Sequence, residues 1–137
     1  MSSILTPILA LVCWSLVVWV WMYATRLPAM KAASVDPQDA AHPGYLDILP
    51  SSARRVADNY NHLHEQPTIF YALIIYCHLA GAADAFMVQL AWIYVGIRVL
   101  HSLVQATFNR VFIRFLLFAL SNIVLITIAI RNVMAAI

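Results

Sequence analysis

The sequence predicts an all-α integral membrane protein, a bundle of four spanning helices. Three observations predict it. Of its 137 residues, 64% are hydrophobic and only 10% are charged, whereas a soluble domain is about half apolar and about a quarter charged. The mean hydropathy is +0.83. Four segments carry apolar runs near the roughly 20 residues that a hydrocarbon core requires. One domain suits this length. The net charge of +2, with no basic run, excludes nucleic acid as a partner and leaves the lipid bilayer as the first one.

The first span covers about residues 4–24. It lacks the basic leader and the small-residue cleavage site of a signal peptide, so it reads as a retained helix. A long connection, residues 26–53, follows; Pro28, Pro37, Pro43, Gly44 and Pro50 keep it from being one regular helix. The second span, about 55–82, opens on a polar stretch and continues as an apolar run from Pro67. "GAAD" at Gly81–Asp84 makes a tight turn into the third span, about 85–108, and "FNR" at Phe108–Arg110 leads to the fourth, about 111–134.

Basic residues set the orientation. Arg26, Lys31, Arg54 and Arg55 flank the first connection, and Arg110 and Arg114 flank the third. The positive-inside rule places those connections in the cytoplasm and both termini outside it. Arg131 alone opposes this. Cys13 and Cys77 both lie in apolar runs and read as small buried hydrophobes.

The polar residues inside the spans carry the functional signal. On a helix, Asp58, His62 and Glu65 fall within about 60° of arc, with Asn61 at the edge of that face and Arg55 one turn earlier. In the third span Tyr94, Arg98, His101, Ser102, Gln105 and Asn109 share one side. An arginine as deep as Arg98 costs roughly 2.5–3.5 kcal/mol unless it is paired or faces water. In an antiparallel hairpin Glu65 is level with His101, which makes Glu65–Arg98 the expected ion pair. Two readings stay open: a network that only fixes helix packing, and a polar ligand site at the cytoplasmic interface. The number of polar groups, beyond the need of one ion pair, favours the second. His62, His64, Glu65, His101 and Asp58 have no standard metal-ligand spacing, so no metal is expected.

At these residues the sequence resembles the MAPEG family, the membrane-associated proteins of eicosanoid and glutathione metabolism. The family signature runs approximately R-x-x-x-x-x-N-x-x-E-x-x-P-x-F; here it stands as "RVADNYNHLHEQPTIF", in which Arg55, Glu65 and Phe70 fit. "RVLHSLVQATFNRVFIRF" is similar to the family's polar third helix and its entry into the fourth. The resemblance covers essentially the whole chain and is nearest to bacterial members, which implies a bacterial inner membrane.

The resemblance implies a homotrimer with glutathione, as co-substrate, between neighbouring subunits. Its binding residues would come from Arg55, Asp58, Asn61, His62, Glu65, Arg98, His101 and Gln105. Glu65 matches the glutamate that holds the amino end of the peptide, and Arg98 matches the third-span arginine. His62 stands at the family asparagine, Asp58 at an arginine, and His101 and Gln105 at tyrosines. Catalytic members use an arginine early in the fourth span to favour the thiolate; that position aligns to Phe112, and Arg114, then Arg110, are the nearest substitutes. A small lipophilic substrate would enter from the bilayer, to be conjugated or reduced as by a membrane glutathione transferase or peroxidase. The alternative is a non-catalytic binding or scaffold protein whose polar network is structural.

Overall fold

A computed structural model describes residues 3–137. Five α-helices account for most of it: α1 (Thr6–Ala32), α2 (Ser51–His62), α3 (Pro67–Leu79), α4 (Ala85–Ala106) and α5 (Val111–Ala136). No strand occurs among the described residues. Helices α1, α4 and α5 are each long and apolar enough to cross a membrane. The chain is an integral membrane helical bundle, and many large apolar side chains on α1 and α5 face outward, as lipid contact requires.

Helix α1 starts with Pro7 in its first turn, where the missing N–H costs nothing. It runs past the expected end near residue 24 and through Pro28 to Ala32. It then stops in a Schellman turn: Ser34 is left-handed (φ 54), and Val35 N–H donates to the Met30 carbonyl at 3.0 Å. Met30, Val35 and Leu49 bury one another beneath the rest of the connection. That connection holds two 3-10 turns, Pro37–Ala41 and Tyr45–Ile48. Asp36 caps the first by accepting from the Gln38 N–H.

The second span is not the single helix expected over about 55–82. It breaks between His62 and Pro67. Proline at 67 has no N–H for the Leu63 carbonyl and its ring clashes with that carbonyl, so α2 ends and α3 restarts with the proline in its first turn. By itself α3, with 13 residues, is about 20 Å long, short of the roughly 30 Å hydrocarbon core. Helix α2 packs on α1 and α4, while α3 packs on α5. The buried face of α2 consists of Ala53, Val56, Ala57 and Asn59.

The main core lies between α1, α3, α4 and α5. Leu11, Val18, Phe70, Ile74, Tyr94 and Ile128 are among its fully enclosed side chains, and Phe70 stacks on Tyr94 with ring centroids 4.3 Å apart. At the α3–α4 turn, Gly81 takes φ 67 and Asp84 caps α4 by accepting from the Met87 N–H at 2.7 Å. Asp84 also pairs with Arg131, whose guanidinium lies over the Phe86 ring. The basic residue that opposes the positive-inside pattern is therefore neutralised locally. Between α4 and α5, Asn109 is left-handed (φ 51) and its N–H donates to the Val104 carbonyl at 2.8 Å.

Candidate functional site

The break before Pro67 builds the site. Helix α2 stops at His62 and the turn that follows closes its end, with Leu63 N–H donating to the Asn59 carbonyl at 3.0 Å and Glu65 N–H to the His62 carbonyl at 3.3 Å; the negative end of the helix dipole is left there. Arg98 of α4 lies there. Its Nη2 is 3.5 Å from the His62 carbonyl oxygen, at the outer limit of a hydrogen bond. The residue is 1% exposed, and its Nε and Nη1 have no hydrogen-bond partner among the described residues.

The expected Glu65–Arg98 ion pair does not form. Glu65 lies within the break and stays beside Asp58 and His62 around one polar cavity. Its Oε2 lies 3.1 Å from Nδ1 of His62 instead, while its backbone carbonyl accepts from the Thr68 hydroxyl at 2.6 Å. Arg98 meets the end of α2 at the His62 carbonyl, with no carboxylate at ion-pair distance among the described residues.

Around this point the chain forms two adjoining cavities. One, of about 390 Å³, is polar and lined by Arg55, Asp58, Asn61, His62, Glu65, Gln105, Asn109 and Arg114. The other, of about 210 Å³, is largely apolar and lined by His62, His101, Val111, Arg114, Phe115 and Phe118. His62 and Arg114 belong to both walls. The His62 ring lies against those of His101, at 5.0 Å between centroids, and Phe118, at 5.8 Å. Arg114 Nη1 donates to Asn109 Oδ1 at 2.8 Å.

Of the residues expected from sequence, Arg55, Asp58, Asn61, His62, Glu65 and Gln105 come together around the polar cavity, and Arg114 joins them from α5. His101 belongs to the apolar cavity. Arg98 lines neither cavity and lies buried behind the His62 carbonyl. Arg110 is exposed at the N-cap of α5 and lines neither cavity. Phe112 is 72% exposed and points away from both.

Sequence reasoning missed Asn109 as a site residue, although it continues the polar stripe expected for the third span. It also missed Val111, Phe115 and Phe118, which look like any lipid-facing residues of an apolar helix. Asn59, 1% exposed, donates to the hydroxyl of Ser102 and ties α2 to α4 below the site. Gln66 and Asn122 bond each other across to α5. These two contacts hold the broken span in place.

No group of three or more His, Cys, Asp or Glu residues suited to a metal ion occurs among the described residues. The polar cavity offers guanidinium groups for carboxylates, and Asp58 and Glu65 for an ammonium group. Opposite charge placed beside a reacting group favours its charged form.

The MAPEG family model matches residues 4–134. No curated protein and no solved structure matches the chain.

Proposed function

Since the chain belongs to the MAPEG family, we propose that it binds glutathione, or a similar polar thiol, in the polar cavity and joins it to, or uses it to reduce, a lipophilic substrate in the apolar one. The observation that carries this is the shared wall: Arg114 and His62 line both cavities, so a thiol held on one side meets an apolar substrate on the other. The ligand's carboxylates suit Arg55 and its amine suits Asp58 and Glu65, which leaves Arg114 for the sulfur.

The chemistry falls to Arg114. A guanidinium beside the sulfur stabilises the anion and lowers the thiol pKa, and the thiolate is the nucleophile. Phe112, at the position where the family's activating arginine aligns, faces outward; Arg114 stands two residues on, about 160° around the helix, and takes the inward position. A homotrimer in a bacterial inner membrane, with both termini outside the cytoplasm, completes the reading; the resemblance and the basic residues around the connections support it.

A second reading has one observation in its favour. The exchange of the aligned arginine for Phe112 suits a family member that binds a polar thiol without turnover. Purified protein tested for glutathione binding by calorimetry, and separately for conjugation of an electrophile, decides between the two. Binding with turnover supports the enzyme, binding alone supports the scaffold, and no binding removes both.

A further inference from the structure

We infer that His62 is the general base that takes the thiol proton, with Glu65 as its positioning residue, and that the reaction it serves is addition of the thiol to an α,β-unsaturated carbonyl compound. The inference rests on the conjugating reading above and names its proton acceptor and its substrate class.

Three observations on the molecule lead here. Glu65 Oε2 stands 3.1 Å from His62 Nδ1. A carboxylate at that distance holds the proton on Nδ1 and leaves Nε2 as the acceptor of a neutral imidazole. Nε2 has no hydrogen-bond partner among the described residues. His62 also lines both the polar and the apolar cavity, so its ring reaches the place where thiol and electrophile meet. A base oriented by a third group, beside a cation that stabilises the nucleophile, is the general arrangement for activating a weak nucleophile.

The groups around His62 fit the task. Glu65 and Asp58 are acidic neighbours from its own side. Arg98 and His101 face it from α4, and Arg114 from α5. Arg114 stabilises the sulfur anion while His62 holds the proton, so the two divide the work.

The step balances without an added oxidant or reductant. The S–H bond breaks, its proton goes to His62 Nε2 and its electron pair stays on sulfur. Sulfur forms a bond to the β-carbon of the unsaturated carbonyl compound, and the π pair moves to give an enolate. His62 then returns the proton to the α-carbon. The product is a thioether and the imidazole is neutral again. Addition, unlike substitution, consumes the proton it releases, which is why a base lining both cavities suits it.

The test uses full-length protein in detergent or nanodiscs, with glutathione and trans-2-nonenal as probes. His62→Asn should lower kcat by about 10²-fold or more and abolish the acid limb of the pH–rate profile, with glutathione still bound and melting temperature close to wild type. Added imidazole should restore part of the rate. His62→Gln gives the same readout if the first variant folds poorly. Glu65→Gln should lower kcat and shift the acid limb, and Glu65→Asp should recover part of both. A His62→Asn protein that keeps its kcat and its acid limb overturns the inference while leaving the conjugating reading intact. Wild-type protein that binds no glutathione, or binds it without turnover, removes that reading and this inference with it.

Discussion

Arg114 and Asn109 meet across the bend between α4 and α5, Nη1 to Oδ1 at 2.8 Å. The left-handed backbone of Asn109 (φ 51) turns the chain so that its amide faces the first turn of α5. The same residue therefore ends one helix and orients a side chain on the next. Asn109→Gly keeps the backbone conformation and removes the amide. It should lower conjugation by about tenfold, the loss of one hydrogen bond to a charged group, with little change in melting temperature. An unchanged rate in a steady-state assay would show that Arg114 needs no such support.

Arg114 and Arg110 are separated by one turn and by their surroundings. Arg114→Ala should lower turnover about 10²–10³-fold, as does removal of an electrostatic stabiliser of a developing anion. Arg110→Ala, at an exposed position outside both cavities, should leave it within about twofold. Parallel kinetics with one electrophile checks the pair. Equal losses would contradict the proposed geometry.

Arg98 is a buried guanidinium with two unsatisfied nitrogens among the described residues. Burying a charge without a carboxylate is costly, and replacing it with an apolar side chain of similar length often stabilises by about 1–4 kcal/mol. Arg98→Met should therefore raise the melting temperature of ligand-free protein and keep the additional rise that saturating glutathione produces, because Arg98 lines neither cavity. Thermal scans with and without glutathione measure both effects. A lower melting temperature without ligand would mean that the α2 C-terminus already compensates the charge.

Asp84 and Arg131 fasten the opposite end of the bundle. Asp84→Ala loses a helix cap, which costs about 1 kcal/mol, and a half-exposed ion pair that adds about 0–1 kcal/mol. Melting should occur a few degrees lower, with glutathione affinity unchanged, because neither cavity includes these residues. Altered affinity by calorimetry would show that the two ends of the bundle are coupled.

Much of the architecture is legible along the chain. Apolar run length marks where helices meet lipid, because a backbone in hydrocarbon must satisfy its own hydrogen bonds. The polar stripe of α4 and the polar opening of the second span are visible as periodicity, and most of the residues around the larger cavity come from them. Pro67 is equally visible, but its effect is not. A continuous helix is expected to pair Glu65 with Arg98; across the break its carboxylate meets His62 and Arg98 meets the His62 carbonyl.

What composition and periodicity determined by themselves is which residues cannot face lipid. Which of those residues meet one another was decided only in three dimensions. Each residue turns a helix by about 100°, so a bend of a few residues, or a shift from 112 to 114, reverses the direction in which a side chain points. Arg114, Phe112 and Arg110 are chemically plain in the sequence. Which of them reaches the cavities follows from the angle at which α5 leaves Asn109, and that angle is a property of packing between helices distant along the chain.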